Sequence, residues 1–254
     1  MTKKERHDDV LTEDELIGRI QSLLDSFSHE STPLVRAIGA GKATREQITR
    51  LGIYFAHFTL VTPNEIGNLI GRTADLDVRR GLIETMIDEG TGLRCGDKAH
   101  YALALDFVTR FSGLTVEDVE AYPLPYEIQD MNHFRLRLSR DEPIGVARAC
   151  LGIAGEAGFG RACAVIASGL RTHYGVRDED QQSWIVHIEA DRFHSAEAEK
   201  IGRRLVRRAE DQARCLRLSA EFLDRWQIFY GLAGDPEFRL RRSALAGQAS
   251  ALPA

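Results

Sequence analysis

The sequence predicts an all-α fold in one domain. Two observations carry this. Helix punctuation recurs along the whole chain, with capping residues and terminating glycines bounding successive apolar-periodic segments. No stretch shows the strict apolar–polar alternation of a half-buried strand. The 254 residues are 43% apolar, enough for a sizeable core, and contain no internal repeat and no long linker. Residues 11–234 are expected to form one helical domain. Residues 1–10 are expected to be a disordered N-terminus, and 235–254 a flexible tail, polar and then rich in Ala and Ser.

The elements follow in order. Thr12-Glu-Asp-Glu15 is a capping box that opens a first helix. Ser31-Thr-Pro33 starts a short helix that stops near Gly39-Ala-Gly41. Thr44-Arg-Glu-Gln47 is a second capping box, opening an aromatic-rich helix through Tyr54, Phe55 and Phe58. Pro63 is expected to interrupt or kink it, with helix resuming from Asn64 to Arg72. Asp75 to Glu89 reads as helix and ends at Gly90-Thr-Gly92. Asp97 is expected to cap the next helix, to Ser112. A helix follows Pro123 and Pro125 as far as Arg140. Ile144 to Tyr174 reads as one long small-residue helix, Asp178 to His194 as another, and Ala196 to Phe229 as the last.

Composition narrows the function classes. A net charge of −5 gives no sign of a nucleic-acid partner. The charged N-terminus lacks an apolar signal core, and no uninterrupted apolar run approaches the ~20 residues of a membrane span. The four cysteines, Cys95, Cys150, Cys163 and Cys215, are dispersed and form no CxxC, against a zinc ribbon or a disulfide framework. These features lead to the expectation of a cytoplasmic protein with neither membrane nor nucleic acid as partner.

The chemistry concentrates in Trp184-Ile-Val-His187-Ile-Glu-Ala-Asp191-Arg-Phe-His194. On a helix, His187, Asp191 and His194 point within roughly 60° of one another. Two imidazoles and a carboxylate on one stripe suit iron, manganese or zinc. Burying them without a metal would leave several polar atoms needing partners. Glu156 stands in Gly152-Ile-Ala-Gly155-Glu156-Ala-Gly158-Phe-Gly160, where so many glycines in a helix imply close approach of another helix or of a ligand. It reads as a buried ligand or as a helix-surface residue. Glu89 and His100 flank a glycine-rich turn that can bring them to one pole of a bundle, while Glu84 and Asp88 read as solvated. Glu65 reads equally as a ligand or a surface charge. His57 and Arg161 are candidates for substrate contact, Arg161 also for a surface salt bridge. Arg203, Arg204, Arg207 and Arg208 alternate with acidic residues and read as a solvated mixed-charge face.

In order, Glu89, His100, Glu156, His187, Asp191 and His194 resemble the motif of the haem-oxygenase-like di-iron oxidases and oxygenases. The His-x3-Asp-x2-His triplet matches residue for residue. The Glu89-to-His100 spacing is the more variable part. The resemblance implies a single seven-helix haem-oxygenase-like bundle that holds two Fe(II) ions and no haem, with O2 as co-substrate. It implies that Glu89, His100 and His194 serve one iron and Glu156 and His187 the other, with Asp191 near both. Glu65 is placed to be the seventh ligand that nitrogen-oxygenating relatives use. The expected activity is therefore oxygenation of a small amine- or amino-acid-like metabolite at nitrogen, to a nitroso or nitro product, by a homodimer drawing on an external electron donor. Oxidative C–C cleavage or alkene-forming decarboxylation of an amino or fatty acid at the same site is the alternative reaction. A metal-free thiaminase-like enzyme and a non-catalytic iron-binding bundle are the alternative classes.

Overall fold

A computed structural model describes residues 10–93 and 97–238. The segments expected to be disordered or flexible, 1–10 and 235–254, lie almost wholly outside the described residues. Among the described residues every regular element is helical. The two expected capping boxes are present. Thr12 opens α1 (Glu13–Phe27) with Glu15 reaching back to its N–H, and Thr44 opens α3 (Arg45–Arg72) in the same way with Gln47. Pro33 occupies the first turn of α2 (Pro33–Gly39), where its missing N–H has no intrahelical partner to lose. Asp75 caps α4 (Leu76–Thr91) by accepting from two backbone N–H groups. Then come α5 (His100–Ser112), α6 (Val116–Glu120), α7 (Tyr126–Asp141), α8 (Ile144–Arg148), α9 (Phe159–Tyr174), α10 (Gln182–Leu205) and α11 (Ala209–Gly234). The eleven α segments among the described residues outnumber the seven helices expected; three of them, α2, α6 and α8, are short pieces, and the segment read as one helix over 144–174 is divided.

Four expectations about boundaries are corrected. Pro63 does not break α3, which runs unbroken from Arg45 to Arg72. Asn132 and Arg135 of α7 donate to the His57 and Phe58 carbonyls, which ties α3 to α7 in the turn before the proline. Asp97 is not a cap: it lies in the left-handed region at φ 55°, and α5 starts behind Ala99 with no side-chain cap. The long helix expected over 144–174 contains a π-helical stretch, Ala149–Ala154, and a turn before Phe159. The break between the last two helices falls at 206–208 rather than after His194, which places the metal-competent triplet inside α10.

Helix α3 is the hub, packed against α4, α5, α7 and α11. Helix α10 lies against α9, α8 and the π stretch, and α1 closes the bundle on α11. Phe55, Phe107, Trp184, Phe222, Trp226 and Phe229 are fully buried. Each such side chain contributes about 1.5–3 kcal/mol of burial free energy. The stretch Ile144–Tyr174 is long and apolar enough to cross a membrane by length and composition, and 67% of its most apolar window is buried in the bundle. The arginines near the α10–α11 break form the mixed-charge face expected: Arg203 pairs with Asp14 and Glu199, Arg204 with Asp75 and Asp77, and Arg207 with Glu13.

His29 is fully buried in an aromatic box of Phe27, Phe159, Trp226 and Tyr230, and its Nδ1 hydrogen-bonds the Tyr230 hydroxyl at 3.2 Å. Burial, with the nearby Arg161 charge, pushes its pKa down to about 3. The unfolded chain protonates this imidazole near pH 6.5, whereas the folded protein does not until about 3. Its contribution to stability is therefore whole above about pH 6.5 and is lost as pH falls towards 3, with a limiting slope of about 1.4 kcal/mol per pH unit. Urea unfolding of His29→Gln across pH 4–7 should show a shallower acid loss than the parent. Parallel profiles would contradict this assignment.

Candidate metal centre

Four stretches of chain meet at one buried site. Glu89 lies in the last turns of α4, and His100 opens α5 across the turn between them. Gly92 makes that turn possible: its φ is +67°, and a Cβ there would strike the Lys98 backbone. Glu156 follows the π stretch before α9, and π-helical turns often mark functional sites. His187, Asp191 and His194 project from the middle of α10, all three buried, so the stripe read from the sequence does face the core.

The six side chains fall into two groups of three. In one, donor atoms of Glu89, His100 and His187 all lie within 4.8 Å of one another; in the other, those of Glu156, Asp191 and His194 do. The sequence reading placed His194 with Glu89 and His100, and His187 with Glu156. The structure groups the two histidines the other way: the His187 ring lies 4.4 Å from that of His100, and His194 Nδ1 lies 3.8 Å from Glu156 Oε2. Glu89 faces both groups: Oε2 is 3.0 Å from His100 Nδ1, and Oε1 is 3.5 Å from His194 Nδ1.

The imidazoles are aimed by their surroundings. His187 Nδ1 lies 2.6 Å from the Ser183 carbonyl, which can only accept, so Nδ1 carries the proton and Nε2 is left as a donor to a metal. Phe55 and Phe159 meet the His187 ring edge-on. Burial, then the charge of His100, pushes its pKa down to about 3, so the ring stays neutral. His194 Nε2 hydrogen-bonds Asp88 Oδ2 at 3.3 Å, which turns Nδ1 towards Glu156 and Glu89. Burial pushes the His194 pKa down, but the Asp88 hydrogen bond and the charges of Glu156 and Glu89 outweigh it and raise it. For Glu89, burial pushes upward, while the charge and hydrogen bond of His100, then His194 and His187, hold the carboxyl far below its usual range.

The residues fit a metal. Glu156 Oε2 and His194 Nδ1 are buried, lie 3.8 Å apart and make no hydrogen bond. Leaving such atoms unpartnered costs about 1–3 kcal/mol each. A cation between them removes that cost, and a set of imidazole nitrogens and carboxylate oxygens suits iron, manganese or zinc.

Glu65 belongs to neither group. It is buried on the wall of the adjoining cavity and pairs with Arg135, Nε to Oε2 at 2.9 Å. Burial pushes its carboxyl up to about 7 against the pull of Arg135. Burial also raises Glu156, opposed by Arg148. Phe55, Phe58, Phe159, Phe222 and Trp226 line the same cavity, which holds about 20 Å³. That is room for about one water, far below the several hundred Å³ of an organic-ligand pocket. An organic substrate therefore enters only if the wall moves.

Two candidates for substrate contact are corrected. His57 Nε2 lies 2.9 Å from the Val119 carbonyl and serves to join α3 to α6. Arg161 makes a surface ion pair with Glu30 at 2.8 Å, the second of the roles read for it. Asp88, read as solvated, is buried against His194, because α10 packs across the end of α4. Arg135 and Arg148 were not singled out. Arg148 was findable: it and Glu156 are the two charged residues within Ile144–Gly160. Arg135 was not, since α7 carries Arg137 and Arg140 beside it in the same polar pattern.

Comparisons with known proteins give the family and the fold. The chain is 27% identical over 185 residues to a 4-aminobenzoate synthase of Chlamydia pneumoniae, covering 72% of this chain and 79% of the relative. Its fold is similar to that of a TenA homologue from Pseudomonas syringae pv. tomato, with a TM-score of 0.72 and 18% identity over 87% of this chain and 91% of the other. It is also similar to a domain with a heme oxygenase-like fold from Shewanella denitrificans, with a TM-score of 0.69 and 14% identity over 88% and 92% of the two chains. Residues 52–227 match the model of the iron-containing redox enzymes, and the chain belongs to that family.

Proposed function

We propose that this protein is a non-haem di-iron oxygenase that uses O2 to oxygenate the nitrogen of a small amine- or amino-acid-like substrate. The observation that carries the reading is the pair of three-residue groups able to hold a metal, the buried Glu89–His100–His187 and the largely buried Glu156–Asp191–His194, meeting at Glu89. When bound, iron supplies the redox chemistry and the capacity to engage O2. The chain's own residues do the rest. Ser183 and Asp88 fix the His187 and His194 rings. Phe55, Phe159 and Trp226 exclude bulk water. Glu65, paired with Arg135, places a second carboxylate on the cavity wall beside the ligands.

One thing supports nitrogen as the atom oxygenated: Glu65 stands on the cavity wall, and the family resemblance implies an extra glutamate in nitrogen-oxygenating members. The Chlamydia relative is named for an arylamine product, which supports an aromatic amine as the kind of molecule handled and does not bear on the atom oxygenated. The balance is that of a mono-oxygenation. One oxygen atom enters an N–H bond, and the other leaves as water with two electrons and two protons, the electrons coming from an external donor. The fold likeness to a TenA homologue fits the metal-free thiaminase-like alternative, but Cys150, Cys163 and Cys215 are all buried, and burial pushes the Cys163 thiol well above its usual range; Cys95 lies outside the described residues.

Anaerobic protein should take up two Fe(II) per chain and then consume O2. His187→Ala and His194→Ala should each bind at most one. Parent protein that binds none, or binds iron and ignores O2, would overturn the reading. Glu65→Gln should keep its first-iron affinity within about 2-fold while turnover falls on the order of 100-fold; unchanged turnover would remove Glu65 from the site. Iron should also slow hydrogen exchange across residues 149–158, where glycines and a π turn lower the cost of opening. Equal exchange with and without iron would show that this segment is already ordered.

A further inference from the structure

Arg148 is outside the ligand set, yet it is 1% exposed at the edge of the second group. Its guanidinium divides among three partners. Nε donates to Glu197 Oε2 at 2.8 Å, Nη2 donates to the His194 carbonyl at 2.9 Å, and Nη1 lies 3.6 Å from Glu156 Oε1. One arginine thus touches two of the three second-group residues, the side chain of Glu156 and the backbone of His194. Two glycines clear its path. A Cβ at Gly152 would sit 2.6 Å from Arg148 Nη1 and would strike Ala198, and a Cβ at Gly81 would sit 2.5 Å from Glu197 Oε1. The fold keeps open space for this pair across three helical segments.

A buried arginine between two glutamates is often only an ion pair that joins helices. Here the contacts are unequal in a way that bears on the metal. Glu156 Oε1 faces the guanidinium, while Oε2 makes no hydrogen bond and faces His194. We propose that Arg148 is a positioning residue for the second metal ion. It holds Glu156 Oε1 and the His194 backbone, so that Oε2 is the coordinating oxygen. This rests on the two-metal reading above.

Charge and geometry predict opposite results. Arg148 is a cation beside a cation site, so on charge alone its removal favours metal at the second group. Positioning predicts the reverse. Arg148→Lys keeps the charge and loses the planar fork that reaches three partners at once. Metal-free full-length protein is titrated with Mn(II), free ion being read by EPR, and the melting temperature of each metal-free variant is recorded. The parent should bind two ions. Arg148→Lys should keep the first dissociation constant within about 2-fold and weaken the second by roughly 10–100-fold. Glu197→Gln keeps Arg148 but loosens its anchor, and should weaken the second site in the same direction by less. It carries the test if Arg148→Lys does not fold.

An unchanged or tighter second constant in Arg148→Lys would overturn the proposal. So would equal weakening of both sites with a lowered melting temperature, which is the mark of a purely structural ion pair. A parent that binds fewer than two ions would overturn the two-metal reading itself, a failure seen without any substitution.

Discussion

Burying Glu89 and Asp191, and half-burying Glu156, beside His100, His187 and His194 is the constraint that the rest of this bundle satisfies. Removing several ionisable groups from water costs several kcal/mol each unless opposite charge and hydrogen bonds compensate. The chain compensates from every side. Arg148 and Arg135 bring positive charge to Glu156 and Glu65. Ser183 and Asp88 take the ring protons of His187 and His194. Glu89 stands between the imidazoles and is held ionised by them. What is left over, Glu156 Oε2 and His194 Nδ1, is the donor pair that a bound metal would complete.

The helices show how a local sequence becomes this arrangement. The triplet on α10 needs only helical periodicity to share a stripe. Bringing Glu89 to it needs the Gly92 turn, and bringing Glu156 to it needs close approach of α10 to the segment before α9. Gly160 permits that approach, since a Cβ there would lie 3.0 Å from the His187 carbonyl oxygen. The glycines clustered around Glu156 thus answer to particular neighbours: Arg148 and Ala198 at Gly152, Phe222 at Gly155, and His29 at Gly158.

Much of this was legible beforehand, and the unread parts share a cause. Capping boxes at Thr12 and Thr44 mark helix starts through contacts within four residues, so they read correctly. The stripe on α10 follows from period alone. Pro63 leaves α3 unbroken because the helix is packed against α4, α5, α7 and α11, contacts that lie far along the chain. The break placed after His194 misled because packing carries α10 on to Leu205. Asp88 and the exchange of His187 with His194 between groups depend on how α4, α5 and α10 cross, which no local pattern encodes. Family resemblance supplied the candidate ligands, but how they group is a property of the fold.

The central claim is that two metal ions share this bundle, each in its own group of three. Crystals of iron-loaded protein, measured at the iron absorption edge, test it most directly. Two anomalous peaks per chain are predicted, one among Glu89, His100 and His187 and the other among Glu156, Asp191 and His194. A single peak, or peaks beside other residues, would contradict the account.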